Sequence, residues 1–99
     1  MSLVDIVAKP VSECKENVSD EEVEHILKEE FDGMWEDGKY FYKTIIALKI
    51  KYESELDING RPCWIGLLAQ AVKEGGDYRH KRATQRIAQL YGYCIPSWL

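Results

Sequence analysis

The chain has 99 residues, of which 45% are hydrophobic and 30% charged, and a net charge of −4. That length supports one domain with one core, and that much apolar side chain excludes a disordered chain. No apolar run approaches the ~18–20 residues a membrane span needs, and residues 1–10 lack the basic start and apolar centre of a secretory signal, so the expectation is a cytoplasmic protein without membrane association.

Leu3–Val7 is a short apolar arm closed by Lys9 and Pro10. With no second clear strand to pair it, an extended arm lying on helices is expected. Residues 11–18 are polar and support at most a helical turn after Pro10. Ser19, Asp20, Glu21 and Glu22 open the first helix. The serine oxygen can accept from the amide of Glu22, the glutamate can return to the amide of Ser19, and the acids face the positive end of the helix dipole. Val23, Ile26, Leu27, Phe31 or Glu30 beside it, and Met34 form its buried stripe, with Glu24, Lys28, Glu29 and Asp32 outside. Gly33 weakens the pattern, and Asp37 followed by Gly38 reads as a turn.

Lys39–Leu56 is the second helix, the one the others should gather around. Phe41, Ile45, Leu48, Tyr52 and Leu56 recur at steps of four, three, four and four, while Lys43, Thr44, Lys51, Ser54 and Glu55 lie opposite. The alternation of Ile46, Leu48, Ile50 and Tyr52 would also suit a strand, but the pattern outlasts the five or six residues that are about usual for one. Asp57, Ile58, Asn59 and Gly60 make a turn.

Pro62 suits the first turn of a third helix running to Lys73, with Trp64, Ile65, Leu68, Ala69, Ala71 and Val72 on a broad apolar side. Gly75 and Gly76 end it, a glycine there being able to adopt left-handed backbone. Asp77 caps a fourth helix, Tyr78–Tyr91, whose narrow stripe is Ala83, Ile87, Leu90 and Tyr91, and Gly92 follows its end. The tail, Tyr93–Leu99, is apolar enough to be expected to dock on the helices.

Cys14, Cys63 and Cys94 are odd in number and widely spaced, which fits reduced thiols and neither a disulfide framework nor a zinc knuckle. His25 and His80 belong to no spaced ligand pair, so no metal or other cofactor is expected. Charge is divided along the chain: seven lysines stand against fifteen acids before residue 58, and six basic against two acidic residues after it, with every arginine in the second part. Such division serves an anionic partner or an attraction between two parts of one fold.

The third and fourth helices, joined by a glycine turn, outline helix-turn-helix geometry. Arg79, Lys81, Arg82, Gln85, Arg86 and Gln89 would then be the nucleic-acid-binding residues, because arginine can bind guanine and glutamine adenine through paired hydrogen bonds, and either cation neutralises phosphate. Against this, Glu21, Glu24, Glu29 and Asp32 offer Arg79, Arg82 and Arg86 partners within the chain, and net acidity opposes DNA.

Three tryptophans, six tyrosines and two phenylalanines exceed what the helical stripes use. Trp35, Tyr40, Tyr42, Tyr93 and Trp98 are therefore the candidate protein interface, since large rings dominate binding energy at such surfaces. Ser97, Trp98 and Leu99 match a carboxyl-terminal pattern that some peptide-binding domains capture, but so loose a pattern is read as packing. Glu29, Glu30, Asp32, Glu36 and Asp37 form no recognisable acid–base pair, and Gly75 and Gly76 lack the lysine and hydroxyl of a phosphate loop, so no catalytic residue is expected.

The expectation is an all-α protein: a compact four-helix domain over residues 1–99, with an extended N-terminal arm and a docked aromatic C-terminal tail. Its function would be that of a non-enzymatic protein–protein interaction or regulatory module, binding a protein partner or forming a homodimer through exposed aromatics and segregated acidic and basic faces. The alternative is a helix-turn-helix-like nucleic-acid binder that places residues 78–91 on DNA.

Overall fold

The computed structural model describes residues 7–8, 18–56, 60 and 62–95. In chain order these form β1 (Val7–Ala8), α1 (Asp20–Glu30), α2 (Trp35–Lys51), α3 (Trp64–Gly75), α4 (Tyr78–Leu90) and β2 (Tyr93–Cys94). The four helices are the expected four, and the Cα radius of gyration of 12.7 Å equals what a compact chain of this length should have, about 13 Å.

α1 begins where its cap is written. Ser19 Oγ accepts from the Glu22 amide at 3.2 Å, and Asp20, Glu21 and Glu22 occupy the first turn. Val23, Ile26 and Leu27 are buried along one face, as is Phe31 at the C-cap, whose amide donates to Leu27 O. Met34 does not join them: it is 40% exposed and lies before α2.

α2 departs from the sequence expectation at both ends. It starts at Trp35 rather than Lys39, so Glu36 and Asp37 are its acidic first turn and Asp37–Gly38 is no turn at all. The glycine is there for space. A Cβ on Gly38 would stand 2.9 Å from both Phe31 Cβ and Trp35 Cε3. The helix stops at Lys51, with the Tyr52 amide donating to Leu48 O. Phe41 and Ile45 are buried and Leu48 and Tyr52 partly so, but Leu56, past the end of the helix, is 62% exposed. Its backbone instead bridges antiparallel to Pro62, and the Cys63 amide donates to Glu55 O, closing the loop in which Gly60 has φ 75°.

α3 buries Trp64, Ile65, Leu68, Ala69 and Val72. Gly75 is the last residue of the helix, and Gly76 after it works by size, not by left-handed backbone: its φ is −95°, and a Cβ there would meet Val72 O at 2.8 Å. Ala71, assigned to the apolar side by spacing, is exposed. Asp77 caps α4 as expected, its Oδ1 accepting from Arg79 N at 2.9 Å and His80 N at 3.2 Å. α4 buries Ala83, Thr84, Gln85, Ile87 and Ala88, a stripe wider than the sequence implied, and Gly92 with φ 84° turns the chain into β2.

α1 packs on α2 and α4, and α3 on α4 and α2, around a core that includes Leu27, Ile45, Trp64, Leu68 and Ile87. Residues 3–6 of the expected arm lie outside the described residues, but Val7 and Ala8 find a partner that the sequence did not reveal. β1 pairs antiparallel with β2 in the register Val7 to Cys94 and Ala8 to Tyr93. Ile95 behind β2 is fully buried, while the expected docking of Trp98 and Leu99 lies outside the described residues.

Candidate functional site

The basic residues of α4 converge on the C-terminal end of α1. Arg79 Nη1 donates to the carbonyl oxygens of Glu30 (3.0 Å) and Asp32 (3.3 Å), where a helix end leaves acceptors without intrahelical partners and carries partial negative charge. One turn on, Arg82 Nε lies 3.2 Å from Glu30 Oε2, and its Nη1 donates to the Tyr78 hydroxyl at 3.0 Å. A further turn on, Arg86 holds two acids at once, Glu29 Oε1 at 2.9 Å and Glu30 Oε1 at 3.3 Å. His25 Nε2 lies 3.1 Å from the same Glu29 oxygen. The hydrogen bond from Arg86, then its charge, holds the Glu29 carboxyl below its usual range.

Glu30 is the hub of this seam, its side chain only 9% exposed between Arg82 and Arg86. Sequence reasoning offered Glu21, Glu24, Glu29 and Asp32 as partners; it set Glu30 on the buried stripe as the alternative to Phe31 but did not pair it with an arginine. The available signal was position: Glu30 falls four residues after Ile26 and seven after Val23, on the buried stripe itself.

Of the other residues expected to read bases, Gln85 is turned inward. It is 8% exposed, and its Oε1 accepts from the Ile95 amide at 2.9 Å, which corrects its assignment to the outer face: Ile95, directly after β2, lies over that side of α4. Gln89 is exposed, and the half-buried Lys81 makes no ion pair among the described residues. The six residues are thus not presented together on one open surface.

A second polar node lies at the α3–α4 turn. His80 Nδ1 is 2.8 Å from Asp77 Oδ1 and 3.4 Å from Asp77 N, so one nitrogen serves two ends: protonated it donates to the carboxylate, unprotonated it accepts from the amide. The hydrogen bond from His80 holds the Asp77 carboxyl below its usual range. The ring meets Phe31 and Phe41 edge-on at 5.1 and 4.7 Å, which joins this node to the end of α1 and the first half of α2. Across the molecule, Lys49 Nζ donates to Asp20 Oδ1 at 2.7 Å and ties α2 to the start of α1. Burial alone would lower the Lys49 ammonium, but Asp20 and Tyr91 outweigh it and the net shift is upward.

The candidate interface aromatics separate by environment. Tyr40 is 75% exposed on the outer side of α2. Trp35 is half-buried against the core with Lys28 Nζ 5.7 Å from its ring centre, and Tyr42 is half-buried with its hydroxyl pKa raised, by burial first and then by Asp20 and Glu24. Tyr93 is 3% exposed, a correction to its expected surface role: from β2 it packs in the core. Trp98 lies outside the described residues. What sequence reasoning missed is Ile50, 65% exposed, which shares the outer side of α2 with Tyr40.

Between α1 and α4 runs a groove of about 450 Å³, with Glu21, Glu22, His25 and Ile26 on one wall and Arg86, Gln89 and Leu90 on the other. Its guanidinium is already committed to Glu29 and Glu30. Among the described residues no three histidine, cysteine or acidic side chains are grouped to hold a metal ion, and no helix is long and apolar enough to cross a membrane. No family model, curated protein or solved structure matches this chain.

Proposed function

We propose that this protein is a non-enzymatic protein–protein interaction or regulatory module whose contact surface is the outer side of α2. One observation carries the reading. α4 directs its arginines into the acids and carbonyls of α1, whereas α2 leaves Tyr40 and Ile50 in solvent beside Lys43, which has no ion pair among the described residues. Large apolar side chains that a fold leaves together on a helix are the kind that anchor partners. The contact surface therefore rests on these apolar residues more than on segregated charge, because the acidic and basic parts of the chain attract each other within the fold. A cytoplasmic setting suits the reading, since three scattered cysteines there remain thiols.

The test compares wild type with Tyr40→Ala and Ile50→Lys as immobilised bait, each verified as folded by its thermal melt. Capture of a specific protein by wild type, lost on both variants, is the expected result. Capture indifferent to both substitutions would move the contact surface elsewhere and overturn the assignment.

A further inference from the structure

We infer that the outer face of α2 binds a second copy of this chain, with the two α2 helices antiparallel across a two-fold axis that passes between Lys43 and Thr44. The inference rests on the proposed contact surface and names its occupant. Glu36, Tyr40, Lys43, Ala47 and Ile50 recur at steps of four, three, four and three, so they line one helical face, with Lys51 beside Ile50. All six are exposed. Spacing of this kind is what two helices use to interlock along a seam.

The face is complementary to itself in one orientation only. Run antiparallel about that axis, it sets Glu36 opposite Lys51 of the second copy, and Tyr40 opposite the small Ala47, once on each side. Run parallel, it would set Glu36 on Glu36 and Lys51 on Lys51. Neither charge is strongly held in the monomer. Glu36 is 93% exposed, with Lys39 at 3.9 Å, a contact worth little at such exposure. Lys51 lies 5.4 Å from the Tyr52 ring centre and has no acidic partner among the described residues. The two Lys43 side chains near the axis oppose the pairing, and their long stems let the charges leave the seam for water. Six residues a side fall short of the roughly 20 to 30 of a standard interface, so the dimer is weak, with a dissociation constant of about 10 µM to 1 mM.

Sedimentation equilibrium up to about 1 mM protein reads that constant. Wild type is expected to dimerise, Lys43→Leu to dimerise more tightly, and Glu36→Lys or Lys51→Glu alone to weaken the dimer roughly tenfold, each single variant placing two like charges opposite each other. An equal mixture of the Glu36→Lys and Lys51→Glu chains restores both opposite-charge pairs in the heterodimer and should return wild-type affinity, which a merely misfolded variant could not do. A wild type monomeric throughout, a dimer indifferent to the charge changes, or a mixture that fails to recover each overturns the inference. A monomer that still captures a different protein through Tyr40 would remove the second copy and leave the proposed surface standing; loss of both would remove the surface as well.

Discussion

Arg86 stands 57 residues after Glu29 in the chain and 2.9 Å from it in space. With Glu30 beside them, this pair fastens the last helix to the first and uses inside the fold the positive charge that the second part of the sequence accumulates.

Because the Glu30 carboxylate is nearly buried between two guanidinium groups, Glu30→Ala should destabilise the fold by about 1–3 kcal/mol, leaving both arginines short of an acceptor. Urea denaturation measures this. A double-mutant cycle with Arg86→Ala should show a coupling of at least about 0.5 kcal/mol, and strict additivity would mean that the two residues do not act together.

Mixed-sequence duplex DNA should not be retarded by this protein in a gel at low salt, since Arg79, Arg82 and Arg86 are engaged with α1 and Gln85 faces inward. A salt-sensitive shift weakened by Arg79→Ala would show that those side chains leave their partners for phosphate.

Two glycines should respond in opposite directions. Gly38→Ala forces a methyl against Phe31 and Trp35 and should cost about 1–3 kcal/mol, whereas a Cβ at Gly75 meets nothing within 4 Å, so Gly75→Ala should stabilise by about 0.5–1 kcal/mol. Thermal melts of the two variants decide both.

Stability should fall at both extremes of pH. Glu29 and Asp77 have carboxyl groups lowered from ordinary values of 4.5 and 3.8, so their contribution is complete above those values and is lost as pH drops through the lowered ones. Arg86→Ala and His80→Ala should each flatten this acid limb. Lys49 is raised from 10.5, and Tyr42 and Tyr91 from 10.0, so their contribution is complete below those values and disappears as pH climbs through the raised ones. Lys49→Met should flatten the alkaline limb in a series of melts across pH.

Gln85→Leu keeps the side chain close in size but makes it apolar and takes away the acceptor for the buried Ile95 amide. A cost of about 1–3 kcal/mol is expected, with faster hydrogen exchange at the Ile95 amide than in wild type. Unchanged exchange there would mean that another group satisfies it.

Helix count, the caps at Ser19 and Asp77, the glycine stop after α4 and most of the buried stripes could be read from the sequence, because each depends on residues within about four positions of one another, which local backbone geometry brings together. Periodicity tells which face of a helix turns inward but not which neighbour it meets. The need for glycine at position 38 inside α2 was decided by the closeness of Phe31 at the end of α1, the fate of the arginines by an acidic helix end some fifty residues earlier, and the inward turn of Gln85 by Ile95 lying back on α4. In each case an approach between separate elements overrode a locally reasonable pattern, since excluding an atom from occupied space or satisfying a buried polar group outweighs the small preferences that a single helix or turn expresses alone.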